Sequence, residues 1–194
     1  WHQMRLEKSN IKRDYKSEVL DCIVTVVIAA VLAFLIGHFV ILNCNVPTGS
    51  MLETIQLDDN IIGSRLTYKF SDPERGDIAI FRWPDDENEI YIKRIIGLPG
   101  DKVEIKDGKV YINGSDTPLK EDYLSEGMYT DSGSREVYDV PEDCYLMLGD
   151  NRTNSADSRF WTNTYVKREK ILAKAEFIYY PFSQIKWLGS GAEY

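Results

Sequence analysis

The chain opens polar, becomes apolar without interruption from Cys22 to Leu42, and then alternates apolar and polar residues in short bursts. The 21 residues of the apolar run include no Asp, Glu, Lys or Arg. As a helix they span about 32 Å at ~1.5 Å per residue, enough for a hydrocarbon core of ~30 Å. A buried core helix and a cleaved secretory signal are the alternatives. A secretory signal has an apolar region of about 7–15 residues that ends at a small-residue cleavage site. This run instead continues into Asn43-Cys44-Asn45 with no A-x-A. The pattern predicts one transmembrane anchor helix over 22–42, with His38 near an interface.

Beyond the run the pattern is that of β structure. Asp77 to Trp83 and Ile90 to Ile96 are rich in β-branched and aromatic residues and predict strands. Val103 to Ile105 and Val110 to Ile112 flank Asp107-Gly108, a pair that tolerates the positive φ of a type I′ turn, and so predict a hairpin. Asn113-Gly114 marks the next turn, and Tyr145 to Leu148 predicts a short buried strand. From Ala173 to Tyr180, Ala, Ala, Phe and Tyr alternate with positions that include Lys and Glu, so they are expected on one face. Residues 115–143 are polar and predict an extended excursion, not a domain boundary. No segment after the anchor shows a long helical period.

Charge orients these elements. Arg5, Lys8, Lys12, Arg13 and Lys16 precede the apolar run, and the next basic residue is Arg65. The positive-inside rule then leaves residues 1–21 in the cytoplasm and sends 43–194 across the membrane. The net charge of −8 argues against a nucleic-acid partner, which needs a basic footprint. Three cysteines are too few for a disulfide framework, and a Cys44–Cys144 bridge stays open.

Only His2 and His38 occur in 194 residues, so 43–194 hold no histidine. A Ser-His-Asp triad, a Cys-His pair and a His-ligated zinc site are excluded there. A nucleophilic enzyme would need Lys, Asp, Glu or Tyr as its base. Three segments fit that requirement. Pro47-Thr48-Gly49-Ser50-Met51 is a tight turn that can expose a serine oxygen and aim a backbone N–H at the same point. In Tyr91-Ile92-Lys93-Arg94-Ile95-Ile96 a lysine interrupts an apolar strand. It either reaches water from a sheet edge or is buried and held neutral, as a lysine base requires. Gly149 to Arg159, GDNRTNSADSR, is either a surface loop of Asx-turns or a hydrogen-bonded shell that holds catalytic groups in place.

These segments, in this order after an apolar run, resemble the type I signal peptidases, serine peptidases of family S26. PTGSM at Pro47 to Met51 looks like the serine box. GDIAIF at Gly76 to Phe81, YIKRIIGLPGD at Tyr91 to Asp101 and GDNRTNSADSR look like the remaining boxes. The resemblance covers nearly the whole chain and is closest to the short Gram-positive form. Lys93 stands where the eukaryotic and archaeal branch carries histidine, which places the chain in the bacterial branch. The resemblance implies a mostly antiparallel β catalytic domain over 43–194, with a smaller non-catalytic β excursion over 101–143. It implies Ser50 as nucleophile and Lys93 as general base. The Ser50 N–H and the Thr48 hydroxyl would form the oxyanion hole, and Ser155 would hydrogen-bond the lysine. Arg94, Asp150, Asp157 and Arg159 would brace the site, and Met51, Tyr91 and Ile92 would line shallow substrate pockets. Thr48 stands where many relatives have serine. Thr153 stands where the last box often has aspartate, and it is assigned no role. The implied partners are signal peptides of translocated preproteins, cut after A-x-A, and the lipid bilayer. No cofactor and no metal are expected. The rival readings are another Ser–Lys peptidase, such as a self-cleaving repressor-type protease or a specialised relative, and an inactive membrane-tethered binding domain.

Overall fold

The structure is a computed structural model that describes residues 2–189 and 192–193. The chain divides into two compact units, one ending at Val40 and the other beginning at Ile41. The first is helix α1 (His2–Leu35), which ends in a wider π-helical turn over Ile36–Val40. Its stretch Ser17–Val40 is long and apolar enough to cross a membrane. The helical part thus stops two residues short of the expected Leu42. Ile41 and Leu42 begin a strand, and Leu42 packs with Val46, Ile61 and Ile78 in the core of the second unit. An apolar run suits a membrane helix and a buried strand equally, so composition carries no mark at that junction.

The second unit contains β1 (Ile41–Asn45), β2 (Asn60–Ser64), the single turn α2 (Thr67–Phe70), β3 (Ile78–Trp83), β4 (Asp86–Gly97), β5 (Lys102–Lys106), β6 (Lys109–Ile112), β7 (Lys120–Glu121) and β8 (Val137–Asp139). Then follow β9 (Cys144–Leu148), β10 (Val166–Lys167), β11 (Ile171–Tyr180), β12 (Lys186–Trp187) and β13 (Ala192–Glu193). The main sheet runs β1-β2-β11-β3-β4-β9-β10, with β12 on β11, and each of its pairings is antiparallel. It is covered on both faces. Ile78, Ile80, Ile92, Ala173 and Ala175 belong to one core, and Ala79, Phe81, Ile95, Met147 and Trp161 to another. That double covering explains why β3 is buried without a break from Ile78 to Phe81.

The excursion is a second antiparallel sheet, β6-β5-β8, closed by its own core of Val103, Ile105, Val110, Tyr138 and neighbours. Asp107 (φ 52°) and Gly108 (φ 76°) both adopt positive φ between Lys106 and Lys109, the I′ geometry the dipeptide predicts. The expected alternation of β11 fails at its end. Ile171, Ala173 and Ala175 are buried, and Ile178 then takes the inward position in place of Phe177. The register shifts against β2 between Ala175 and Phe177, and an extra residue in one strand flips every later side chain to the other face.

Candidate active site

Ser50 lies in a short 3-10 turn, Gly49–Met51, that follows β1. Met51, fully buried in the core with Ile92 and Val46, pins the turn against the sheet. Lys93 lies on β4, where Ala79 of β3 is its partner. It is no edge lysine reaching water, because only 4% of it is exposed. Its Nζ donates to Ser50 Oγ at 2.6 Å and to the Ile92 carbonyl at 3.1 Å. The Tyr91 ring lies 5.3 Å from the same nitrogen. Burial lowers the Lys93 amine from its ordinary value to about 8, against the Asp157 and Asp150 carboxylates, which pull it upward. Thr48 Oγ1 is 3.4 Å from Ser50 Oγ.

The polar loop 149–159 holds this pair through two fully buried ion pairs. Arg94 donates through Nε and Nη2 to Asp150 at 2.8 and 2.6 Å, and through Nη1 to the Gly76 carbonyl. Arg159 donates in the same forked way to Asp157 at 2.8 and 2.7 Å, and Asp157 also accepts from the Gly149 N–H. The loop is tied to the serine turn directly. The Asn151 N–H donates to the Ser50 carbonyl, and its side-chain amide donates to the Gly49 carbonyl.

Ser155 stands apart from its expected role. Its Oγ is buried and makes no hydrogen bond among the described residues. The amine it was expected to hold is turned to Ser50 and Ile92 instead. Ser155 nonetheless sits beside the site, because a Cβ on Gly149 would stand 2.1 Å from Ser155 Oγ and 2.5 Å from the Ser50 carbonyl oxygen. Thr153 is exposed, and among the described residues its hydroxyl bonds only to Asn151. Cys44 and Cys144 are both free.

Several supporting residues escape a reading of the sequence. Thr54 donates to Asp150. Arg152, fully buried, is gripped by Glu121 and donates to Thr130, the Tyr123 hydroxyl and the Gly149 carbonyl. The Tyr123 ring stacks 3.8 Å from the Arg94 guanidinium. The excursion therefore braces the loop from behind. Arg152 lies inside a segment already singled out, but Glu121 and Tyr123 come from a polar stretch with no local signal.

A cleft of about 430 Å³ opens at Ser50 and Lys93 and extends to Cys44 and Glu89, with Met51, Tyr91 and Ile92 in its wall. Its two sides are strand edges. β1 ends the main sheet, and β9 covers β4 only from Arg94 to Gly97. Among the described residues no strand pairs with the edge of Glu89–Lys93 opposite β3. Such an edge offers unpaired backbone groups to an extended chain.

Comparison with known proteins agrees with this picture. A family described as signal peptidase, peptidase S26, matches residues 19–180. A protein of Synechocystis sp. named Probable signal peptidase I-2 is 40% identical over 174 residues, 87% of this chain and 77% of that one. Signal peptidase I of Leptolyngbya laminosa is 38% identical over 92% of this chain and 88% of its own. Signal peptidase I of Bacillus amyloliquefaciens is 37% identical, covering 94% of this chain and 98% of that protein.

Proposed function

The chain belongs to the peptidase S26 signal peptidases, serine peptidases that remove signal peptides, and from that premise we propose that it works through a Ser50–Lys93 dyad on preproteins presented at a membrane. The observation that carries this reading is a buried amine 2.6 Å from a serine oxygen, with its pKa lowered to about 8. At pH 7 about one lysine in ten is neutral and able to accept a proton. In that state Nζ takes the Ser50 proton as Oγ attacks the scissile carbonyl carbon. The Ser50 N–H and the Thr48 hydroxyl stabilise the oxyanion. Collapse of the tetrahedral intermediate breaks the C–N bond, and the lysine returns the proton to the leaving amine. Water, deprotonated by the same lysine, then hydrolyses the acyl-serine. Arg94, Asp150, Asp157 and Arg159 hold the loop against the serine turn, and the Ser155 hydroxyl, unpartnered among the described residues, lies beside that turn.

The substrate lies as an extended strand between the edges of β1 and β4. Alternate side chains then enter the pockets at Met51, Tyr91 and Ile92, which suits small residues at the first and third positions before the cut. Ser17–Val40 is the anchor. The basic residues before it leave the N-terminus in the cytoplasm and the peptidase domain outside. Ser50 follows Val40 by ten residues, a reach of at most about 33–36 Å, so cleavage occurs near the membrane surface. The test is the full chain in detergent micelles with a peptide spanning an A-x-A site, beside Ser50→Ala. Cleavage after the second Ala by the unmodified enzyme alone is expected. Equal cleavage by Ser50→Ala would overturn the assignment.

A further inference from the structure

Among the described residues Glu89 is the one carboxylate in the cleft wall. It lines the same cleft as Tyr91 and Lys93, immediately before Ile90, where the regular pairing of β4 with β3 begins. It stands four residues from the lysine, or about 13 Å at ~3.3 Å per residue. Its neighbours on the β3–β4 hairpin are engaged elsewhere. Asp85 accepts from the Thr162 and Asn163 N–H groups, Asp86 from Asn88, and Glu87 from Lys170 at 2.7 Å. The nearby Arg82 guanidinium donates to the Glu87 carbonyl. Among the described residues the Glu89 carboxylate has neither a hydrogen bond nor an ion pair, and the residue is exposed. Burial raises the Tyr91 phenol, and the negative charges of Glu89 and then Asp85 raise it further, so the Glu89 charge is felt at the cleft wall.

We propose that Glu89 is a specificity-determining residue, which selects preproteins carrying Lys or Arg at the fourth or fifth position before the cut. The proposal rests on the reading that residues before the cut lie in this cleft. A strand running beside β4 advances at the same rise as β4 does. With the scissile bond at Ser50 and Lys93, the residue level with Glu89 is therefore four to five positions upstream. An acidic side chain at that level meets the Glu89 carboxylate, and a basic one pairs with it. Both partners are solvated, so the effect is modest and sensitive to salt.

The test uses the full chain in micelles and peptides that share one A-x-A site. Lys, Gln or Glu is placed at the fourth or the fifth position before the cut, with a control series varied at the third position after it. At low ionic strength kcat/KM should favour Lys over Gln by about two- to five-fold at one of the two upstream positions, with Glu disfavoured. Glu89→Gln should abolish that preference, Glu89→Lys should reverse it, and 0.5 M salt should flatten it. The control series should show no effect of Glu89. Cleavage of the Gln peptide with no charge preference overturns the role of Glu89 alone. So does a preference that persists in Glu89→Gln, which assigns it to the domain's overall negative field. Failure to cut the Gln peptide overturns the underlying reading of the cleft.

Discussion

Replacing Lys93 by methionine should abolish activity and stabilise the protein. Methionine keeps most of the side-chain volume and removes the buried charge. Burial lowers the amine from 10.5 to about 8 in the folded state. That drop corresponds to about 3 kcal/mol, the penalty for holding the protonated amine at this site. The sign follows from proton counting. Below about pH 8 folded and unfolded chains both carry the proton, and the penalty is complete. Between about 8 and 10.5 the folded chain has released a proton that the unfolded chain still binds, so wild-type stability rises with pH. Methionine does not titrate and carries no such penalty. Lys93→Met should therefore lead by up to about 3 kcal/mol at pH 7, and the lead should vanish above about pH 10.5. For a domain of this size that is a rise of about 6–12 °C in Tm at pH 7. Thermal unfolding of both proteins in micelles, followed by tryptophan fluorescence from pH 7 to 10.5, measures it. A variant less stable than wild type at pH 7, or a difference flat across that range, would refute the reasoning.

Two further substitutions probe the support of the site. Gly149→Ala places a methyl group 2.1 Å from Ser155 Oγ and 2.5 Å from the Ser50 carbonyl oxygen, so the serine turn must move. A displacement of that order should lower kcat by about 100-fold with a smaller change in KM, and single-turnover cleavage at wild-type rate would contradict it. Glu121→Gln leaves the Arg152 guanidinium buried without its carboxylate, in a pair whose side chains are 0% and 9% exposed. Chemical denaturation should show a loss of about 3–5 kcal/mol, and a loss under 1 kcal/mol would mean that water reaches the arginine.

What could be read from the sequence was local. The Asp107-Gly108 hairpin was legible because two adjacent positive-φ residues admit few turns. The inward strands β3 and β4 were legible because burial on both faces leaves a continuous apolar run. Lys93 was legible as an oddity within such a run, although its burial was not, because that depends on which strands flank β4. β1 and β2 were not legible. Asn43 to Asn45 breaks any apolar alternation, and Ile41-Leu42 merges with the run before it. The bulge in β11 is set by pairing with β2 and leaves no trace in composition. Glu121 and Tyr123 reach the site across about thirty residues, through a polar stretch whose spacing says nothing of its partner. Ser155 was placed near the site by its loop, but a hydroxyl's direction follows from backbone geometry that residue type does not set.

The dyad itself is tested most directly by the pH dependence of kcat/KM for an A-x-A peptide, measured for wild type and Lys93→Arg from pH 4 to 10. Wild-type kcat/KM should rise about tenfold per pH unit and level off above a midpoint near 8, where the free enzyme's lysine loses its proton. Lys93→Arg should remain inactive throughout, because a guanidinium does not release its proton in this range. A wild-type midpoint near 4, which would assign the base to a carboxylate, or substantial turnover by Lys93→Arg, would contradict the Ser50–Lys93 account.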